Sequence, residues 1–421
     1  MVKVSLKYGK TVLSSTVPDE NLLESIEPKD KPGVANPSSE ILRTLDNPLK
    51  SKKIPEIAEK GDKVVIVVDD ATRSTPSQLM VPPILNQLNS VGVQDRDITV
   101  IFGRGSHRLV APEEMRKLVG DEVMRRVKAV NHDCRAPDLV HVGDTSRGTK
   151  VYLNKTFVDA DVRILTGDVE LHYYAGYGGA RKSVLPGVAG IESIIHNHQM
   201  AIDPKAKLGN IEGNPVHLDM MEAAKLGRVD FIINVVMNTN SEIVSVFAGD
   251  LEKVFLEGVK IVDEIYKIPA KSEADIVLTD AGGSPRDINF YQAHKALEAA
   301  VNIVRPGGVI VLAAECPESK GSQAFYEWMK RCKNSREVED EIKKNFGPGG
   351  ITAFTMYKAL ERSTIISITD LPEYESKNIL RLKPAKTLDE ALKMAFDIAG
   401  DDAKVSVLPM GSLSLPVLSK Y

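Results

Sequence analysis

Short runs of β-branched residues that recur between stretches of helical periodicity constrain this chain more than any other feature. KVVIVVDD (63–70) has the length and composition of a buried strand. A helix fits from about Ser77 to Ser90, with Pro82 and Pro83 expected to kink or delay it. DITVIFGRGSH (97–107) reads as a second strand ending in a Gly-x-Gly turn. PEEMRKLVGDEVMRRV (112–127) follows as an amphipathic helix with acidic residues in its first turn. VRILTGDVE (162–170) and FIINVVMN (231–238) read as further strands. The alternation restarts in the last third. Strands are expected at ADIVLTDAGG (274–283), GGVIVLAAE (307–315), TIISIT (364–369) and KVSVLP (404–409). Helices fit at 290–304, near 322–333, 336–345 and 352–361, and at 387–400, where Thr387 is an N-cap and Gly400 an end. Strands alternating with helices predict parallel sheets covered by helices on both faces.

Two such series in 421 residues predict two α/β domains, each a largely parallel sheet flanked by helices, with the active site in the cleft between them. The polar stretch KIPAKSEAD (267–275) marks the boundary, giving an N-terminal domain over 1–268 and a C-terminal domain over 274–409. Hydrophobic residues at 43% and charged residues at 27% are those of a soluble globular protein. The formal net charge of −4 leaves no electrostatic footprint for nucleic acid. Cys134, Cys316 and Cys332 form neither a disulfide framework nor a zinc-ribbon spacing, which fits a reducing cytoplasm. The first residues, MVKVSLKYGKTVLSS, lack a continuous apolar core, and no segment reaches membrane-spanning length.

In open α/β sheets, ligands bind beyond the carboxyl ends of the strands, and the polar clusters of this chain fall there. Asp69-Asp70-Ala71-Thr72-Arg73 reads equally as a capped loop with an internal ion pair and as part of a site. Gly103-Arg104-Gly105-Ser106-His107 is a short G-x-G turn with a single histidine, weak evidence by itself. HYYAGYGGARKSVLPGVAG (172–190) nearly spells a P-loop: Gly176 stands in the first glycine's place and Lys182-Ser183 in that of Lys-Ser/Thr. Arg181, however, fills the place of the last glycine, where the backbone must close on a phosphate. His196 and His198 are two apart, so on a helix they diverge and cannot share one ion, although one of them alone can ligate; His196 reads as part of a polar helix face. Gln292 and Lys295, three apart at the start of a helix, share a face that suits a carboxylate or simply forms an exposed helix start.

Taken in order, D-A-T-R at 70–73, G-S-H at 105–107, H-Y-Y-A-G-Y-G-G-A-R-K-S at 172–183, His198 and Y-Q-A-H-K at 291–295 resemble the lactate racemase family that uses a nickel-pincer nucleotide. The resemblance covers nearly the whole chain. It implies that Lys182 carries the cofactor, a pyridinium mononucleotide bearing thioacid groups, through a covalent thioamide, with Asp70, Gly178 and Gly179 beside it. It implies that His198 ligates nickel next to two sulfurs and a ring carbon, and that His107 and His172 are paired acid/base groups. Arg73, Gln292, Lys295 and Tyr291 match groups that hold the substrate. The same resemblance implies cofactor-making enzymes as maturation partners, no nucleic acid or membrane, and residues 410–421 packing back onto the first domain. The substrate implied is a 2-hydroxy acid, lactate or a similar short-chain acid first, with malate, phenyllactate or a sugar acid as alternatives. Pro285, Asn289 and Phe290 are candidates for the pocket mouth.

The chemistry accounts for these residue types. Removing the α-proton of a 2-hydroxy acid would create an electron-rich dianion, whereas removing that hydrogen as hydride leaves a planar 2-oxo acid open on either face. That route needs a pyridinium-like acceptor, which no side chain supplies, and a base for the hydroxyl of each enantiomer. Histidine, with an ordinary pKa of about 6.5, suits the second task. Arg73 offers a planar fork and Lys295 a point charge to a carboxylate. Soft sulfur ligands with one imidazole suit square-planar nickel. Three rivals remain. A P-loop phosphotransferase would need glycine before Lys182, a pyridoxal-phosphate enzyme would use Lys182 for a Schiff base, and a non-catalytic nickel or nucleotide carrier would need neither His107 nor Gln292 with Lys295.

Overall fold

The computed structural model describes residues 1–179 and 181–419; Ala180 of the glycine-rich loop and Lys420 and Tyr421 of the C-terminal stretch lie outside the described residues. The chain divides into two compact units, Asp30–Glu264 and the combination of Met1–Lys29 with Ile265–Tyr421.

In the unit Asp30–Glu264, Val64–Val68 is buried at every residue, as its unbroken β-branched sequence predicts for a central parallel strand. It lies between Ile98–Phe102 and Val162–Asp168 and pairs in parallel with both, Val64 opposite Ile98 on one side and Val162 on the other. The six-stranded order is Ile243–Gly249, Phe231–Met237, Val162–Asp168, Val64–Val68, Ile98–Phe102, Lys128–Asn131, with the Ile243–Gly249 edge antiparallel. From Val64–Val68 the chain steps outward through Ile98–Phe102 to Lys128–Asn131. It then returns to the opposite side for Val162–Asp168. That reversal opens a crevice at the carboxyl ends of Val64–Val68 and Val162–Asp168, where such sheets bind ligands. The helix Ser77–Ser90 runs unbroken through Pro82 and Pro83 and buries Met80, Val81, Ile84, Leu85 and Leu88 in the core. Packing of that apolar face outweighs the backbone hydrogen bonds the prolines remove. The helix Pro112–Arg126 forms as expected, apart from Gly120, whose φ of 85° leaves the helical path.

The other unit is built on a six-stranded, wholly parallel sheet in the order Lys383–Pro384, Ser363–Ile368, Val304–Ala313, Ala274–Asp280, Val405–Leu408, Leu22–Ser25. Thr387 caps the helix Leu388–Ala399 by accepting from the Glu390 amide at 3.1 Å, and Gly400 ends it, both as read from the sequence.

Three expectations need correction. Residues 1–29 belong with the C-terminal unit rather than with 30–268, because Leu22–Ser25 completes the parallel sheet beside Val405–Leu408. The hairpin of Val2–Tyr8 and Thr11–Val17 also lays Val4, Leu6 and Val17 on that unit's core. The stretch after residue 410 stays in the same unit, where Leu415–Leu418 pairs with Lys267–Ala270 instead of crossing to the first. The expected helix 290–304 is two short helices, Phe290–Ala293 and Lys295–Ala300, separated at His294. Among the described residues no helix is long and apolar enough to cross a membrane.

Candidate active site

The central strand Val64–Val68 hands directly to Asp69 and Asp70. Asp70 is buried; its Oδ1 accepts from the Thr72 amide at 2.9 Å and the Thr72 hydroxyl at 2.5 Å, and its Oδ2 faces His107 Nδ1 at 2.7 Å. Burial by itself would raise this carboxyl, but the His107 hydrogen bond and charge, with the Thr72 bonds, outweigh it and bring Asp70 down to about 2. An ionised carboxylate only accepts, so the His107 proton sits on Nδ1 and its lone pair on Nε2. The His107 side chain is 50% exposed, so this imidazole is anchored at one nitrogen and open around the other.

The G-x-G turn that delivers His107 is a backbone junction. The Gly105 amide donates to the Gly187 carbonyl at 2.9 Å; at φ 52°, a Cβ there would stand 3.1 Å from Pro186. Arg104 closes the loop by donating from Nε to the His132 carbonyl at 2.7 Å and from Nη1 to the His107 carbonyl. His132 Nε2 in turn donates to the Ala189 carbonyl at 2.9 Å, and burial pushes that imidazole down to about 4. Residues 103–107 are thus tied to the turn that follows Lys182.

The glycine-rich loop gathers three expected residues around one ring. Around Tyr174 stand the His172 ring at 4.5 Å, the His198 ring at 5.3 Å and Lys182 Nζ at 6.0 Å from the centroid. His172 Nδ1 accepts from the Ala175 amide at 3.3 Å. Desolvation by the surrounding protein, then the Lys182 and His107 charges, push His198 down to about 3 and keep it neutral. Its Nδ1 faces Asn197 Oδ1 at 3.1 Å. His196 turns elsewhere, to Thr149 Oγ1 at 2.7 Å, which is the expected divergence.

Arg181 explains why the loop departs from a P-loop. Its side chain is wholly buried and lies over the Phe255 ring at 4.0 Å. Nη1 donates to the Gly178 carbonyl at 2.8 Å, Nη2 to Tyr177 at 2.9 Å and Ala175 at 3.2 Å, and Nε to His217 Nδ1 at 2.9 Å. Burial, then the Arg181 charge, push His217 down to about 3, and burial pulls Arg181 to about 9, so a charged arginine meets a neutral histidine at neutral pH. A phosphate loop aims its amides inward. This one turns carbonyls inward onto a guanidinium and offers Lys182 from the next turn, its amide bonded to the Gly179 carbonyl at 2.8 Å. Gly176 permits the fold of the loop: at φ 77°, a Cβ would fall 2.2 Å from the Asn210 carbonyl oxygen.

Arg73 lies among carboxylates, its Nε 3.5 Å from Glu170. Asp69 accepts from Thr75 Oγ1 at 2.5 Å; burial raises it to about 6, and burial with the Glu170 and Asp69 charges raises Asp168 well above the carboxylate range. The sequence reading missed Asp168, Glu170, Asn197 and His217. For Arg181 the signal was present, as the residue that spoils the P-loop pattern.

In the other unit, Lys295 Nζ donates to Gln292 Oε1 at 2.7 Å, so the expected pair does meet. With its oxygen engaged there, Gln292 keeps its NH2 as a donor, and the pair offers one cationic and one neutral donor to an oxyanion. Asn289 caps the short helix by accepting from the Gln292 amide at 3.0 Å. Tyr291 lies 6.0 Å from the Phe325 ring and 5.8 Å from that of His294. Among the described residues, no group of three His, Cys, Asp or Glu is arranged to hold a metal ion.

Residues 8–209 match the family model of the lactate racemase N-terminal domain and residues 269–415 that of the C-terminal domain. The lactate racemase of Thermoanaerobacterium thermosaccharolyticum is 35% identical over 420 residues, 98% of each chain. That of Lactiplantibacillus plantarum is 33% identical over 421 residues, 98% of this chain and 99% of the other. The solved structure of the T. thermosaccharolyticum lactate racemase apoprotein has a TM-score of 0.92 at 34% identity, covering 100% of both chains. A crystal structure of a Thermotoga maritima protein, at TM-score 0.68 and 17% identity, covers 93% of this chain and 100% of that one and shares the fold.

Proposed function

The chain belongs to the lactate racemase family, a family of isomerases, and from that premise we propose that it interconverts the enantiomers of lactate or a similar short-chain 2-hydroxy acid. The observation that carries the reading is the convergence of His172, His198 and Lys182 on the Tyr174 ring. His107 complements them, its lone pair fixed on Nε2 by Asp70.

The residues fit a lysine-tethered nickel-pincer nucleotide. The neutral imidazole of His198 suits a nickel ion that also takes soft donors from the cofactor. Lys182 supplies the amine for a thioamide, and Asp70, Gly178 and Gly179 are its proposed neighbours. When bound, the pincer pyridinium supplies a reversible hydride acceptor, so that C2 of the substrate passes through a planar 2-oxo acid.

The chain's own residues do the rest. His107 Nε2 takes the hydroxyl proton of one enantiomer and returns it, a contribution of roughly 10²–10⁴-fold for a well-held base. His172 is assigned to the other enantiomer. Carboxylate recognition is assigned to Arg73, Lys295, Gln292 and Tyr291. Enzymes that make the cofactor are the partners this requires, and a cytoplasmic setting suits the buried free thiols of Cys134, Cys316 and Cys332.

The test is intact mass and nickel analysis of protein co-produced with the cofactor-making enzymes. Wild type should carry a mass addition at Lys182 and bound nickel, Lys182→Ala neither, and His107→Ala both but without turnover. α-Deuterated substrate should keep most of its label. Unmodified Lys182 with no nickel in the wild-type protein overturns the reading. A panel of enantiopure 2-hydroxy acids followed by polarimetry identifies the substrate.

A further inference from the structure

The residues on either side of Asn197 both lead to one buried carboxylate, His196 through Thr149 and His198 through Asn197 itself. Asp219, on the helix Pro215–Leu226, is wholly buried; its Oδ1 accepts from Thr145 Oγ1 at 2.5 Å and Thr149 Oγ1 at 2.9 Å. Thr149 Oγ1, having given its proton to Asp219, accepts from His196 Nδ1 at 2.7 Å. Asn197, also wholly buried, donates its amide Nδ2 to Asp219 Oδ2 at 2.8 Å and to the Val216 carbonyl at 3.2 Å.

Those two partners only accept hydrogen bonds, so they decide which way the Asn197 amide points. Turning it over would set its oxygen against a carboxylate and a carbonyl in a buried site, leaving two acceptors unsatisfied at about 1–3 kcal/mol each. The Asn197 oxygen therefore faces His198 Nδ1, at 3.1 Å. An amide oxygen cannot donate, so the proton of the neutral His198 ring is on Nδ1.

We infer that Asn197, held by Asp219, is a positioning residue that locks His198 in the Nδ1–H tautomer and so makes Nε2 the ligating nitrogen. This rests on the reading of His198 as the nickel ligand. Imidazoles that bind metals donate their other N–H to an oxygen, which fixes the ring and raises its basicity, and loss of that partner typically weakens metal binding 10–100-fold. The oxygen here belongs to the residue adjacent in sequence, so its aim depends on Asp219, across the unit on another helix. Asn197 alone, without that carboxylate, would be free to present its NH2 to His198 and favour the opposite tautomer.

The experiment has two arms. In the first, the full chain made without cofactor is labelled with ¹⁵N-histidine, and His198 is assigned by its loss in His198→Gln. Wild type should show protonated Nδ1 and bare Nε2 by long-range ¹H–¹⁵N correlation at neutral pH. Asn197→Leu and the near-isosteric Asp219→Asn should shift the ring toward mixed or Nε2–H populations, with circular dichroism and urea unfolding confirming a folded chain. In the second arm, matured Asn197→Leu and Asp219→Asn should keep the Lys182 mass addition while their nickel retention against a chelator falls about 10–100-fold. A wild-type His198 that is mainly Nε2–H overturns the inference, as does an unchanged tautomer with unchanged nickel retention in both variants. If instead matured wild type binds no nickel, the functional reading fails, while the tautomer measured on the unloaded chain still stands or falls by itself.

Discussion

Residues 103–107 and residues 172–182 stand at the carboxyl ends of strands in one sheet, and each is closed by an arginine that donates to loop carbonyls. Arg104 reaches two carbonyls and lies near exposed Asp133; Arg181 reaches three, stacks on Phe255 and meets a neutral histidine with no solvent contact. The first loop ends in a half-exposed imidazole, the second in a lysine just beyond the buried arginine. A base that must exchange protons with successive substrates gains from an open ring held at one end. A tether and a metal ligand gain from a frame that does not move. Each arrangement suits the role proposed for it.

Removing the two arginines should separate the loops most sharply. Arg181→Met strands three carbonyls and His217 Nδ1 in the interior, and at about 1–3 kcal/mol for each unsatisfied group the loss should reach about 3–6 kcal/mol after relaxation. Arg104→Met strands one buried carbonyl, that of His132, and leaves the other on the exposed His107, so it should lose about 1–2 kcal/mol. Urea unfolding midpoints measure both, and equal losses would break the distinction. In matured protein, Arg181→Met should also lower the fraction of Lys182 carrying the mass addition.

The glycines give the next largest contrast. Gly176→Ala drives a methyl into the Asn210 backbone at φ 77°, where neither side yields cheaply, and should lower stability by about 2–4 kcal/mol. Gly105→Ala meets Pro186 at 3.1 Å with φ 52°, a milder conflict, and should lower it by about 1–2 kcal/mol.

Asp70→Asn tests the base rather than the frame. The amide keeps the shape but offers a weaker acceptor to His107, and kcat/KM should fall about 10–100-fold, or about 1.4–2.7 kcal/mol, with nickel content unchanged. Because a racemase brings both enantiomers to equal concentration, the fall should be the same from either side. A variant with wild-type kcat/KM would remove Asp70 from the support of His107.

These contrasts also mark how far the sequence could be read. Val64–Val68, Ile98–Phe102 and Val162–Asp168 were legible because a strand buried on both faces must be apolar throughout. Leu22–Ser25 was not, being four residues long and only partly buried, and its partner Val405 lies far along the chain. That pairing reassigns the first 29 residues. Among the candidate residues, single ones with distinctive chemistry, such as His107, Lys182 and Gln292 with Lys295, were visible, whereas the groups that orient them were not. Nothing local in the sequence shows that Arg181 is buried, since arginine is seldom enclosed without a carboxylate. Its partner His217 is 36 positions away. The direction of the Asn197 amide is set by Asp219, 22 positions away.

The smallest effect is one in which the loops should agree. His217 behind one loop and His132 behind the other are buried and neutral, pushed down to about 3 and about 4. In the unfolded chain each titrates near 6.5, so below that pH the unfolded state binds more protons and stability declines. The stabilising share is fully present above about 6.5, is lost as pH falls, and levels off below the folded value. Between pH 7 and 5.5 both folded values lie well under the range, so each histidine should account for about 1 kcal/mol of the loss. His217→Gln keeps an oxygen that can accept from Arg181 Nε, and His132→Gln keeps a donor for the Ala189 carbonyl, so both variants remove mainly the titration. Urea midpoints at the two pH values should show each variant losing about 1 kcal/mol less than wild type. Only below about pH 4 should the two part, with the His132 contribution levelling off while that of His217 continues to fall. A variant as pH-sensitive as wild type would mean that its histidine is already charged in the folded protein, and for His217 that would remove the acceptor on which the Arg181 frame depends.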